Sequence, residues 1–253
     1  NRGRVFQLPA YEIPQGSRTA KGQALVNFLQ LAPNEKISTI LAMSDMTSAK
    51  YLVMATRKGL IKKTALSDFE NVRRSGIIAL KLKPDDGMEW VRPSSGKDNV
   101  MIATKEGQAI RFEETDVRGM GRAAAGVHGI RLHDNDEVVG MDVVDPKNKN
   151  VQFLTIGENG LGKLTTVDSY KVQGRGGSGI KTAKVTEKTG FVIHASAVDT
   201  ALSKEKDIIL ISANGQTIRV PFSSIPESGR DTQGVRLMRF KDSDDKVVSV
   251  TLV

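Results

Sequence analysis

The chain has 253 residues, 39% of them hydrophobic and 26% charged, with 24 Gly, 8 Pro and no Cys; this is the composition of a globular protein with a real core, not of a disordered or collagen-like chain. Without cysteine there is no disulfide framework, thiolate zinc site, iron–sulfur site or cysteine nucleophile, and no run approaches the 18 or so apolar residues of a membrane span, so no membrane partner is expected. The 37 Lys and Arg against 29 Asp and Glu leave a formal charge of +8, which favours a polyanionic partner such as nucleic acid.

The start of the chain, Asn1-Arg2-Gly3-Arg4, does not read as a signal peptide. The missing cysteines suit a reducing compartment, and a cytoplasmic location is expected.

Five glycines, Gly3, Gly59, Gly107, Gly160 and Gly215, stand 56, 48, 53 and 55 residues apart and bring the neighbouring residues into register. Ten residues after each lies a large apolar residue: Ile13, Phe69, Val117, Tyr170 and Ile225. Five residues further comes an arginine in every copy: Arg18, Arg74, Arg122, Arg175 and Arg230. A second glycine follows four residues later as Gly22, Gly126, Gly179 and Gly234, and two residues later as Gly76. One domain, 1–253, is expected, built from repeat units at about 1–50, 51–98, 99–150, 151–205 and 206–253.

In chain order the second unit opens with strands over 51–56 and 60–63. The third carries strands over 100–104, 109–112, 129–132 and 137–144, and the fifth opens with 207–212 and 217–220. The pairs Lys58-Gly59, Glu106-Gly107, Asn159-Gly160 and Asn214-Gly215 put a glycine where a tight hairpin needs positive φ. Helical periodicity is hard to find. Four-stranded units of this size cannot bury both faces alone, so the expected fold is all-β, with sheets arranged radially as in a propeller. The arginines sit in long loops such as 67–75 and 114–126, expected at the outside of the disc.

Other motifs carry little chemistry. Residues 157–164 nearly spell a phosphate-binding loop, but Leu164 stands where a Ser or Thr should reach magnesium, and the repeat reads the segment as a hairpin. Residues 174–179 spell GxGxxG with strands, not a βαβ unit, around them. His128, His133 and His194 lack metal-ligand spacing, and no nucleophile elbow or carboxylate pair stands out, so neither a metal site nor catalytic residues are expected. One Trp and three Tyr give no stacking platform for single strands.

The motif text resembles the C-terminal domain of DNA gyrase A subunits. The likeness lies in Glu12-Ile13-Pro14 with Ser17 to Gly22, in Gly59-Leu60-Ile61-Lys62-Lys63-Thr64 with Phe69, Asn71 and Arg73, and in Ala109 to Phe112 through Asp116-Val117-Arg118, Met120-Gly121-Arg122 and Gly129 to Leu132. It covers essentially the whole chain. It implies a β-pinwheel, a propeller relative of usually six blades in which neighbours exchange a strand, whose basic rim bends DNA so that the enzyme introduces negative supercoils. The family's first unit carries a box of Gln-Arg-Arg-Gly-Gly-Lys-Gly type, and this chain is expected to start after it. The nearest match here is Gln173-Gly174-Arg175-Gly176-Gly177-Ser178-Gly179, with Gly174 and Ser178 at usually basic positions.

The resemblance further implies a domain that is not an enzyme on its own and holds no cofactor, ATP and Mg being used elsewhere in the holoenzyme. Its partners would be double-stranded DNA, the gyrase B subunit and the rest of the gyrase A subunit; its location would be the nucleoid. The expected DNA contacts are Arg18, Lys21, Arg57, Lys58, Lys62, Lys63, Arg73, Arg74, Arg111, Arg118, Arg122, Lys163, Lys171, Arg175, Lys181, Arg219 and Arg230. For Arg18, Arg74, Arg122 and Arg230 a brace of the loop's own carbonyls is the competing reading, whereas Arg175 is assigned to DNA because its loop resembles the box. The matching domain of topoisomerase IV and a protein-binding propeller are the alternatives.

Overall fold

The computed structural model describes residues 1–17, 19–203 and 205–253. Strands recur with the period of the glycines. Unit one contributes β1 (Arg4–Val5), and unit two β2 (Tyr51–Thr56), β3 (Leu60–Ala65), β4 (Ile77–Ile78) and β5 (Met88–Ser94). Unit three has β6 (Asn99–Thr104), β7 (Gln108–Glu113), β8 (Val127–His128) and β9 (Val138–Val144). Unit four has β10 (Val151–Gly157), β11 (Leu161–Thr166), β12 (Ile180–Lys181) and β13 (Val192–Asp199), and unit five β14 (Asp207–Ser212), β15 (Thr217–Pro221), β16 (Val235–Arg236) and β17 (Val247–Leu252).

The sheets do not follow the units. Their strand orders are β5-β2-β3-β8, β9-β6-β7-β12 and β13-β10-β11-β16, with a three-stranded β17-β14-β15 and the pair β1-β4. Each short strand therefore leaves its own unit and closes the outer edge of the preceding sheet, as when Val127 and His128 pair with Ile61 and Leu60. The sequence reading placed that third strand at 129–132; it is Val127–His128 instead, and Gly129 and Ile130 turn away with their N–H groups directed at the Gly59 carbonyl. This is the strand exchange of a β-pinwheel. Within the described residues the outer edge of β15 has no fourth strand.

The hairpin glycines Gly59, Gly107 and Gly160 each meet two demands, whereas Gly215 meets only the positive φ. Gly107 has φ of +80°, and a Cβ there would lie 2.8 Å from the Ala183 carbonyl of the next unit, which packs over the turn. The near-miss phosphate loop is the equivalent β10–β11 hairpin, and the GxGxxG segment is a turn leading into the two-residue β12, so neither opens a helix.

Radial stacking explains why strands such as β6 bury apolar side chains on both faces. Successive side chains of a strand face opposite sides. From β6, Val100 and Ile102 pack with Val53, Ala55 and Ile61 of the preceding sheet, while Met101 and Ala103 pack with Phe153, Tyr170 and Ala195 of the following one. Leu154 and Ile156 repeat the arrangement against Ile208 and Leu210. The inner strands are further tied by charge: Arg92 of β5 pairs with Asp142 of β9, whose other carboxylate oxygen accepts from the Ala197 N–H of β13 at 2.8 Å.

Candidate nucleic-acid interface

The arginine-bearing loops are seated in one repeated register. Gly119 bridges Lys63 of β3, Val172 bridges Arg111 of β7, and Glu227 bridges Leu164 of β11, each in the parallel sense. All three lie twelve residues after their unit's hairpin glycine. Backbone bonds lock the seats: Met120 N–H to the Lys63 carbonyl, Gln173 N–H to that of Arg111 and Ser228 N–H to that of Leu164, all 2.8 Å. Arg122, Arg175 and Arg230 thus occupy equivalent places on the outer edges of three successive sheets.

Their guanidiniums differ in what they hold. Arg175 is exposed, yet its Nε donates to the Asp116 carbonyl (2.9 Å) and its Nη1 to the His128 carbonyl (3.1 Å). Arg230 is half-buried, donates to the Lys181 carbonyl at 3.0 Å and lies over the Tyr170 ring. Arg74 is 81% exposed and pairs with Glu12 at 3.3 Å. Arg122 is exposed, and none of the described residues accepts a hydrogen bond from its guanidinium. Arg18 lies outside the described residues. Arg118 and Arg175 line one hollow of about 320 Å³ with Asp116 and Val127. In the box-like loop, Gly176 N–H donates to the Gly129 carbonyl and the Gly177 carbonyl accepts from Arg131 N–H, so the turn is built against unit three.

Four expected DNA contacts are corrected by burial. Lys62 is fully buried, its ammonium donating to the Ala79 and Arg122 carbonyls at 2.6 and 2.5 Å. Lys163 is 1% exposed and donates to the Gly229 and Arg230 carbonyls and to Thr232 Oγ1. Lys63 is buried against Glu114, whose carboxylate is 3.4 Å away, and donates to the Glu114 carbonyl at 3.0 Å. Arg111 is buried and bonds the Val167 and Tyr170 carbonyls. A cation so enclosed cannot reach a phosphate at the surface.

Burial also pushes both lysine ammoniums down, to about 8 for Lys62 and about 8 for Lys163; Asp68 and Asp231 pull against that, and Arg122 and Arg230 add to it. Lys21, Arg57, Lys58, Arg73, Arg118, Lys171, Lys181 and Arg219 are exposed as expected. Of these, Arg57 lies 3.9 Å from Glu137, Lys181 4.0 Å from Asp231, and Arg219 is paired with Asp207.

Glu114 escaped the sequence reading. It is fully buried and accepts from Ser94 Oγ and from the Gly96 and Asp98 N–H groups as well as pairing with Lys63. The available signal was its register, seven residues after the hairpin glycine, where the other units carry Ala10, Leu66, Val167 and Phe222.

The centre of the disc offers a different chemistry. A cavity of about 520 Å³ is lined by Glu89, Trp90, Ile193, His194 and Val248 to Val250, with Ser38. Burial and the nearby Arg92 push His194 down to about 4, so its imidazole is neutral at pH 7, with Nε2 3.0 Å from Ser196 Oγ. Among the described residues no three His, Cys, Asp or Glu side chains converge as a metal site would require.

The family described as "DNA gyrase C-terminal domain, beta-propeller" matches residues 1–42, 50–95, 98–145, 152–199 and 206–253. The chain is 42% identical over 250 residues to the DNA gyrase A subunit of Staphylococcus aureus (strain NCTC 8325 / PS 47), covering 98% of this chain and 27% of that protein. It is 41% identical over 243 residues to the DNA gyrase A subunit of Staphylococcus epidermidis (strain ATCC 12228 / FDA PCI 1200), covering 96% and 27%. It thus spans about a quarter of the length of these relatives.

The solved DNA gyrase A C-terminal domain superposes with a TM-score of 0.81 at 28% identity, covering all of this chain and 80% of that one. The C-terminal domain of DNA topoisomerase IV shares the fold, with a TM-score of 0.87 at 22% identity over all of this chain and 77% of that one. With an all-β pinwheel, a strand exchange repeated from unit to unit and a family match along nearly its whole length, the chain belongs to the DNA gyrase A C-terminal domain family.

Proposed function

We propose that the chain binds duplex DNA without base specificity along its outer edge and bends it, as the non-catalytic wrapping domain of a gyrase A subunit in support of negative supercoiling. The observation that carries this is the common register of the seated loops, which sets Arg122, Arg175 and Arg230 on successive sheet edges of a +8 chain. A smooth half-turn of about 45 bp costs on the order of 10 kcal/mol in an elastic estimate, more than one contact returns. Phosphate contacts repeated from sheet to sheet offset that cost and read no sequence.

The chain takes no cofactor of its own in this reading; ATP and Mg serve the gyrase B subunit with the remainder of the gyrase A subunit, in the bacterial cytoplasm and on the nucleoid. Engagement of roughly six to ten phosphates predicts a loss of affinity of about 10³ to 10⁵ fold between 50 and 200 mM salt. Fluorescence anisotropy with a labelled random-sequence duplex measures it. A nearly flat salt response would overturn the proposal and favour a protein-binding propeller.

A further inference from the structure

Lys62 and Lys163 occupy the same place in their units, three residues after the hairpin glycines Gly59 and Gly160, where units three and five carry Ile110 and Ile218. Both side chains leave the strand that the exchanged short strand closes, β3 or β11, and end at the arginine loop of the following unit. The Lys62 ammonium binds the carbonyl of Arg122 itself, and that of Lys163 binds the carbonyls of Gly229 and Arg230. We propose that Lys62 and Lys163 are positioning residues that hold the backbone of the neighbouring loop so that its arginine, Arg122 or Arg230, is presented to DNA phosphate.

The loop of unit four supplies the contrast. Its preceding sheet carries Ile110, not lysine, at this position, and there the arginine itself is tied down across units: Arg175 turns two donors onto the Asp116 and His128 carbonyls of unit three. Where a lysine holds the loop, the guanidinium makes fewer bonds of its own: none to the described residues at Arg122, and one, to the Lys181 carbonyl, at Arg230. The loop of unit two follows the same logic with another cation. Phe6 stands at the lysine position, and Arg4 donates to the Ser75 carbonyl beside Arg74, at 2.9 Å. The loops of units two, three and five therefore have a cation on a carbonyl at or beside the recurring arginine, Arg4, Lys62 and Lys163 respectively, and the unit-four loop does not. A free, preorganised guanidinium gives a bidentate phosphate contact without first breaking bonds to carbonyls of the preceding unit.

This inference rests on the DNA-binding reading above, and a double-mutant cycle separates the two. Anisotropy with a labelled duplex of about 40 bp is measured for the full chain, Lys62→Met, Arg122→Ala and the double variant at one salt concentration. Methionine keeps the length of the stem and removes the donors. Lys62→Met is expected to weaken binding about fivefold in the native background and less than twofold when Arg122 is already alanine, because the lysine acts through that arginine. The cycle of Lys163→Met with Arg230→Ala repeats the test on a different sheet edge.

Equal losses in both backgrounds, or no loss from Lys62→Met, would overturn the inference while leaving DNA binding in place. Salt-independent or absent binding by the native chain would instead overturn the DNA-binding reading. Failure of both methionine variants to yield folded chain, read from circular dichroism, would assign the lysines to fold stability alone and overturn the inference as well.

Discussion

A buried ammonium surrounded by carbonyls differs from a surface one in how its protonation is linked to folding. Lys62 and Lys163 are held at about 8, chiefly by burial, whereas an unfolded lysine titrates near 10.4. Below about pH 8 both states carry the proton, and the native state bears the full desolvation cost. Between about 8 and about 10.4 the unfolded chain binds more protons than the native one, so the unfolding free energy contributed by these groups rises with pH. Urea denaturation of the native chain and of Lys62→Met with Lys163→Met, at steps from pH 7.5 to 10, should show that rise in the first and a flatter curve in the second. Arg92 and Asp142 extend the theme of enclosed charge: burial raises the Asp142 carboxyl, and the guanidinium and the Ala197 N–H oppose it.

At the scale of the element, the two-residue strands owe their place to the glycine that precedes them. Gly126 has φ of +89°, and a Cβ there would sit 2.5 Å from the Ile61 carbonyl oxygen, a backbone atom that cannot give way. Gly126→Ala is expected to destabilise the chain by about 2 kcal/mol through strain and loss of the seat. Its effect should be concentrated where β8 meets β3, so hydrogen exchange at Gly129, whose N–H donates to Gly59 at 2.8 Å, should accelerate before that of β6. Unchanged stability and exchange would mean that the short strand is not held by its glycine.

The same element scale explains what could be read without coordinates. Hairpins at the Gly-containing turns follow from local chemistry alone, and β2 and β14 begin and end where their apolar runs and the turn residues place them. The two-residue strands carry too few residues for a period. Their partner is in another unit, so the more apolar run at 129–132 drew the assignment away from Val127 and His128.

For the whole molecule, repetition converts a weak surface preference into a mechanical one. One arginine loop adds a single point of attraction, whereas several in common register along an outer edge can hold a duplex against its own stiffness. Substituting Arg118→Glu and Arg122→Glu together removes two exposed guanidiniums of one loop. It should lower the duplex bend, followed by energy transfer between end-labelled dyes on about 45 bp, more strongly than it lowers affinity at 50 mM salt. An unchanged bend would place the path of the duplex away from unit three.

The repeat, the all-β class, the hairpins and the basic character are legible from the residues alone, because each depends on residues close in the chain or on composition. Tertiary structure decided which cations face solvent. Arg118 and Lys62 look alike as letters in a basic run, yet one is exposed and the other is fully buried. That difference is set by strand exchange between units, which lays the loop of one repeat over the outer side of the sheet before it. A lysine on that edge then meets carbonyls of a loop some 60 residues away in the chain. The basic residues behind the +8 charge are therefore divided: Lys62, Lys63, Arg111 and Lys163 lie inside, holding carbonyls of neighbouring loops, while others such as Arg118 and Arg122 face solvent.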